Sequence, residues 1–312
     1  MYPGIGLETP PLSESLPEVE LPASYDYAGI YLMQRCHLTC EYCITEHNDS
    51  RFLTSPTGGD RLSVDQWVAG LDRLRLTDGI PITLQGGEPF LYKGILDLVD
   101  RIRHPVDILT ALPPSVTVER FRAMRRPEAL RRDAPYPNIR VSYHPGQNRI
   151  EDLISRVLEI QEVVSIGIYI VDHPNNAAER DRARRLCEEA GVFFKTKEFL
   201  GYHDGVSYGE YRYPDATVGR VTRPEVWCRN TVLIVHPTGT IFHCHSDLYH
   251  RRGDLAVGHI LDRNLSIPNR YRSCQSYGLC SECDVKVKTN HHQVYGYTSA
   301  DIQFEETKER SC

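Results

Sequence analysis

The residues whose types and spacing speak most directly of chemistry lie between positions 36 and 43, in Cys36-His37-Leu38-Thr39-Cys40-Glu41-Tyr42-Cys43. Three thiolates at C-x3-C-x2-C spacing can cap three corners of a cubane iron–sulfur cluster. With no fourth cysteine nearby, one iron stays open to a small molecule. A structural zinc site would want two close pairs or a fourth local Cys or His, and His37 and His47 do not supply that spacing. A dithiol redox pair would use Cys40 and Cys43 and leave Cys36 idle. Buried or zinc-bound thiols are the plain alternative.

A second group follows late in the chain, at Cys228, Cys244, Cys274, Cys280 and Cys283. The run 231–237, Thr238-Gly239 and 240–245 reads as a β-hairpin with Cys244 on the return strand, and Cys280-x2-Cys283 adds a local pair. Four ligands from a hairpin and a C-x2-C loop can enclose a metal, as zinc or as an iron–sulfur cluster. Between the two groups stands Gln85-Gly86-Gly87-Glu88-Pro89. Its glycines permit close backbone approach and Glu88 offers an acceptor for an ammonium group, although Gly-Gly more commonly marks a plain turn. Cys187 falls on the helical stripe Ala183, Leu186, Cys187, Ala190, which makes it a buried structural thiol.

The elements that must position these residues alternate. Short apolar runs at 28–33, 80–85, 106–112, 139–143, 165–171 and 192–199 are separated by amphipathic segments, the pattern of repeated βα units on a parallel sheet. Ser63-x-x-Gln66 is a capping box ahead of the stripe Val64, Trp67, Val68, Leu71. Ile95, Leu98, Val99, Ile102 and Ile150, Leu153, Ile154, Val157 repeat that stripe. Residues 1–25 read as an irregular, Pro-rich arm, 26–205 as the α/β unit and 206–225 as a Gly- and Tyr-rich linker or lid. Residues 226–292 read as a small cysteine-bearing unit and 293–312 as a tail of little period.

The chain has 312 residues, 40% apolar and 25% charged, with a formal net charge of −6 and a pI near 6.1. The acidic balance argues against a nucleic-acid backbone binder. No run reaches the ~20 apolar residues of a membrane span, and no signal pattern opens the sequence. The expectation is a cytoplasmic protein with reduced thiols.

The first cysteine segment, with aromatic Tyr42 before its last cysteine, resembles the signature of the radical S-adenosylmethionine (radical SAM) superfamily. The resemblance spans about residues 26–205 and implies an α/β fold, an open (β/α)6 partial TIM barrel with the cluster loop after its first strand. It further implies that the open iron of a [4Fe–4S] cluster on Cys36, Cys40 and Cys43 chelates SAM. Reductive cleavage then yields a 5′-deoxyadenosyl radical that abstracts a hydrogen atom from substrate. Gly86, Gly87 and Glu88 resemble the family's GGE motif, which holds the SAM amino group. By the same likeness Tyr42, Ser142 with His144, and Ile168 become cofactor contacts, at the ribose and the adenine for the last two sites.

The pattern C-x10-G-x4-C from Cys228 through Gly239 to Cys244, then 258–262 and C-x2-C, is similar to the twitch domain, the short relative of SPASM domains. It implies a C-terminal β-hairpin/helix domain holding a second [4Fe–4S] cluster on Cys228, Cys244, Cys280 and Cys283. Cys274 is left over as a candidate hydrogen-atom donor, although C-x5-C-x2-C departs from the usual tail order, so that Cys274 can replace one of the four. His243, His245, His291 and His292 read as packing or exposed histidines, and Cys312 as terminal noise.

The expected activity is hydrogen abstraction from a small polar metabolite, a sugar or aminocyclitol, with epimerisation favoured over dehydrogenation. The rivals are maturation of a ribosomal peptide and, in another class, a zinc-stabilised binding module. The expected partners are a small-molecule substrate and a reductant such as flavodoxin or ferredoxin. Lys195, Lys197 and His173, near strand ends, are candidate substrate contacts.

Overall fold

A computed structural model of the chain describes residues 9–12, 15–44, 61–77, 79–219, 226–250, 252–287 and 299–304. His47, His291, His292 and Cys312 lie outside them. In chain order the first elements are β1 (Val19–Glu20), β2 (Tyr27–Met33), α1 (Val64–Asp72), β3 (Leu74–Arg75), β4 (Ile82–Gly86), α2 (Ile95–Arg101), β5 (Val106–Thr110) and α3 (Val118–Arg122). β6 (Ile139–Tyr143), α4 (Ile150–Ile160), β7 (Ile166–Asp172), α5 (Ala177–Ala190) and β8 (Phe194–Glu198) follow. The C-terminal part holds β9 (Gly201–His203), β10 (Val206–Tyr208), β11 (Val226–Asn230), β12 (Val232–Val235) and β13 (Thr240–Phe242). It continues with α6 (His245–Tyr249), β14 (Gly258–His259), β15 (Arg272–Cys274), α7 (Glu282–Val285) and β16 (Ala300–Phe304).

Six strands, β2-β4-β5-β6-β7-β8, lie side by side and all pair in parallel, as the βα alternation requires. This is the expected open six-unit α/β sheet. The helices form where their signals predict. Ser63 caps α1 with both capping-box bonds made, Gln66 N–H to Ser63 Oγ at 3.2 Å and Ser63 N–H to Gln66 Oε1 at 2.8 Å. Gly191, in the left-handed region at φ 70°, ends α5.

Side-chain alternation gives the sheet two unlike faces. Ile82, Leu84, Val106, Ile108, Ile139, Val141, Ile166, Ile168 and Ile170 pack with the apolar stripes of α1, α2, α4 and α5 into one large core. Residues one position off point to the concave side. Register aligns Tyr31 with Gln85, Thr83 with Asp107, Ser142 with Tyr169, and Tyr169 with Lys195 across it. The concave side is therefore polar, and its base is held by Asp107, only 1% exposed, paired with Arg132 at 2.7 Å and Arg140 at 3.3 Å.

Three expectations need correction. The N-terminal arm is not wholly irregular: β1 pairs in parallel with β3, Val19 and Leu21 are buried, and Arg73 donates to Pro17 O at 2.8 Å. The hairpin of the C-terminal unit is part of the main sheet, because β12 pairs in parallel with β2 and carries β13 and β14 beyond it. Val232 and Ile234 of β12 pack with Tyr31, Phe242, Leu248 and Tyr249 on the concave side. The tail is not featureless either. β16 pairs antiparallel with β11, and β15 pairs along the other edge of β11 to complete a small antiparallel sheet.

Within 201–225, the segment 201–208 is a hairpin turning at Asp204-Gly205, both at positive φ. Of its tyrosines, Tyr213 is buried in the C-terminal core while Tyr202 is exposed.

Candidate active site and metal centres

The loop carrying Cys36, Cys40 and Cys43 leaves β2 at the carboxyl end of the parallel sheet, where ligands gather in such folds. All three thiols are half-buried and in no disulfide. Gly86 and Gly87 press on the backbone that leads into this loop. Gly87 N–H donates to Met33 O at 2.7 Å and Glu88 N–H to Arg35 O at 2.9 Å. A Cβ on Gly87 would lie 2.4 Å from Gln34 O and 2.5 Å from Arg35 O, and one on Gly86, at φ 140°, 1.8 Å from Met33 O. No side chain fits at either position, so the two glycines lock the β4 turn to the entry of the cysteine loop.

Glu88 does not present its carboxylate to a ligand. The residue is fully buried and accepts from Phe90 N–H (2.9 Å), Thr110 Oγ1 (2.8 Å) and Ala111 N–H (2.8 Å). Burial pushes its carboxyl up, and the three hydrogen bonds oppose that shift. Glu88 thus ties the turn after β4 to the end of β5 rather than facing an ammonium group. Ile168 is likewise misplaced by the sequence reading. Period-2 alternation puts it on the helix-covered face, 0% exposed and in register with Val141, while Tyr169 takes the concave face. Ser142 does face the concave side.

Tyr42 is held by a ladder of rings. It stacks on His144 (5.8 Å between centroids, 27°) and on His173 (5.1 Å, 26°), and its hydroxyl lies 3.0 Å from His144 Nδ1. His173 meets Phe199 and His203 edge-on at 4.6 and 4.5 Å. The ladder fixes the cysteine loop to the ends of β6, β7 and β8. Burial, with His37 adding to it, pulls the His144 imidazole down to about 4. Lys197, half-buried on the concave side above the Tyr169 ring (5.4 Å), is lowered to about 7 by burial, then by Arg140 and Lys286.

The later cysteines divide differently from the sequence assignment. Register pairs Val226 with Cys274 and Cys228 with Arg272, so Cys228 and Cys274 are diagonal neighbours on one face. Both pack with Cys280 in one cluster around Tyr213 and Tyr277. Cys244 is not on the return strand of the hairpin. It caps α6, its sulfur accepting from Asp247 N–H at 3.3 Å, and with Cys228 and Cys274 it senses the Arg272 guanidinium. Arg272 is anchored by Asp247 at 2.7 Å, and Asp284 binds His245 Nδ1 at 2.8 Å, joining α7 to α6. Cys283 is the odd one. Its thiol, pushed up to about 11 by burial, is pulled down by Lys286 and Lys197, and Tyr27, Tyr31 and Tyr249 on the barrel side sense it. Cys274 packs with Cys228 and Cys280.

Both cysteine sites carry donors consistent with iron–sulfur clusters. Thiolates on one tetrahedral zinc stand about 3.8 Å apart, from a zinc–sulfur bond of about 2.3 Å. Among the described residues no three cysteine sulfurs lie within 4.8 Å of one another. Near the first site, Gln34 Nε2 is buried with no hydrogen-bond partner among the described residues. The charged concave residues Asp107 and Arg140 escaped the sequence reading. Their signal was one charged residue inside each of two otherwise apolar strand runs.

An open parallel sheet with a C-x3-C-x2-C loop locked against a Gly-Gly-Glu turn at its carboxyl edge is the arrangement that the resemblance to radical SAM proteins implies. The chain is 28% identical over 123 residues to PqqA peptide cyclase of Rhodopseudomonas palustris (strain ATCC BAA-98 / CGA009), a match covering 39% of this chain and 30% of that protein. The chain thus spans about a third of the length of the curated relative it matches. No family model matches the chain. Among solved structures, native anSMEcpe with bound AdoMet and Kp18Cys peptide superposes with TM-score 0.49 at 14% identity, covering 79% of this chain and 78% of that one. The same protein with AdoMet and Cp18Cys peptide gives 0.48 at 15%, with coverage of 79% and 78%. The fold assignment itself rests on the strand order and register above. No helix among the described residues is long and apolar enough to cross a membrane.

Proposed function

We propose that this chain is a radical SAM enzyme that oxidatively modifies a peptide, with Cys36, Cys40 and Cys43 holding the SAM-binding [4Fe–4S] cluster. Cys228, Cys244, Cys274 and Cys280 would hold an auxiliary one. The observation that carries the reading is the three-cysteine loop clamped to the Gly86-Gly87 turn at the ligand edge of the sheet, in a chain related by sequence to a peptide cyclase. The small-metabolite substrate gives way to a peptide because that relative and the anSMEcpe complexes carry peptides in their names.

A cluster on the first loop would supply the electron that cleaves SAM and so generates the hydrogen-abstracting radical. The chain's own part is positional. Gly86 and Gly87 set the loop's approach, the His144–Tyr42–His173 ladder holds it in place, and the concave face offers Ser142, Tyr169, Lys195 and Lys197 to a polar substrate. The aromatic packing around Tyr31 and Tyr249 closes the β12 side against water.

Anaerobically reconstituted protein should carry about eight irons per chain and form 5′-deoxyadenosine from SAM. Peptides encoded beside the gene should stimulate that reaction and lose two hydrogens in mass. Stimulation by sugars or aminocyclitols, and by no peptide, would reinstate the metabolite. Colourless, zinc-loaded protein would reinstate the binding module. A second reading, return of hydrogen by a thiol with inversion, is favoured by the placement of Cys283 toward Lys197. It requires one solvent deuterium in the product.

A further inference from the structure

Beside the cysteine loop, three side chains from three separate elements converge: Glu41 of the loop itself, His173 after β7 and His203 at the end of β9. One ligand atom from each lies within 4.8 Å of the other two, and this is the one such trio among the described residues. We propose that Glu41, His173 and His203 form a mononuclear site for a divalent transition metal of borderline softness, of which zinc is the reference case. The ion would clasp the 201–208 hairpin across the mouth of the barrel to the cysteine loop.

Two imidazoles and one carboxylate are a recurrent donor set for zinc and for ferrous iron, with positions left for water. Asn175 serves as the outer support: its Oδ1 lies 3.1 Å from His203 Nε2, which puts the proton on Nε2 and leaves Nδ1 with a free lone pair. Asp204, 3.4 Å from the same Nε2, reinforces that tautomer. His173 is only 3% exposed and is held by Tyr42, Phe199 and His203 rings, so its position is set before any ion arrives. Its Nδ1 accepts from Asn175 N–H at a long 3.3 Å, a contact the ion would replace if Nδ1 becomes the ligand. Glu41 is exposed and supplies the charge that two neutral imidazoles lack. None of the three belongs to either cysteine set, so the site stands or falls apart from the radical SAM reading.

The test uses the full chain with its clusters reconstituted anaerobically, washed with a mild chelator and titrated with Zn2+ against a chromophoric competitor, with iron and zinc counted together. The expected result is about one zinc per chain beyond the iron. Asn175→Ala should weaken zinc about tenfold or more, and His203→Ala and Glu41→Ala further, with iron unchanged. Co2+ in place of zinc should show ligand-field bands without sulfur charge transfer. Zinc should also slow proteolysis at Asp204-Gly205 in the parent but not in Glu41→Ala, an exposed position whose variant keeps the fold. The proposal is overturned by iron-replete parent that takes up no stoichiometric zinc. Equal zinc in the parent and Glu41→Ala, or a thiolate-to-cobalt band, overturns it as well.

Discussion

Cys274 and Cys283 differ by nine positions, and the proposed function gives them different roles. Cys274→Ser should halve the iron of reconstituted protein, because its sulfur faces Cys228 and Cys280. Cys283→Ser should leave iron untouched; loss of iron from the Cys283 variant alone would restore the sequence assignment. The spacing alone left this undecided. C-x5-C-x2-C has no direction in it, and only the β11–β15 register shows which sulfurs share a face. Glu88 teaches the same lesson. Its type and place were legible, but the fact that Thr110 and Ala111, at the end of the next strand and just past it, consume its carboxylate was not. Glu88→Gln replaces one acceptor oxygen with an amide that faces donors, at a cost of about 1.5–3 kcal/mol. Chemical denaturation should register that loss, and an unchanged midpoint would show that the three bonds are dispensable.

At the level of elements, the loop after β2 depends on the turn after β4. Gly87→Ala forces a methyl group to within 2.4 Å of the Gln34 carbonyl, so the loop must move. The expected result is loss of the first cluster with the second retained, read as a fall to about four irons per chain. Full iron in that variant would refute the lock. The aromatic ladder adds a pH dependence. The His144 imidazole falls from its ordinary 6.5 to about 4 on folding because burial disfavours the cation. The unfolded chain therefore binds the proton first, and stability is lost as pH drops from 6.5 toward 4, by at most about 3 kcal/mol. His144→Gln should flatten the acid limb of a melting-temperature profile, and an unchanged slope would rule the ladder out as its source. The six βα units and the α1 capping box could be read in advance because local periodicity specifies them. The pairing of β12 with β2 could not, since it joins segments some two hundred residues apart in sequence.

Across the whole molecule, the barrel sheet and the small β15–β11–β16 sheet are built differently, one with a large helix-covered core and one around cysteines and tyrosines. The sequence reading placed the seam between the two parts too simply, because β12 to β14 belong with the barrel. The chain has two tryptophans, one in each part: Trp67 of α1 is fully buried in the barrel core, and Trp227 is 40% exposed on β11. Each part of the molecule thus carries its own optical label. Trp67 should emit to the blue and resist acrylamide, while Trp227 should emit to the red and be quenched. With Trp227→Phe and Trp67→Phe variants, the emission of each label can be followed through a denaturant series. A single midpoint for both colours would mean that the cysteine-bearing sheet cannot let go without the barrel, and two midpoints that it melts on its own.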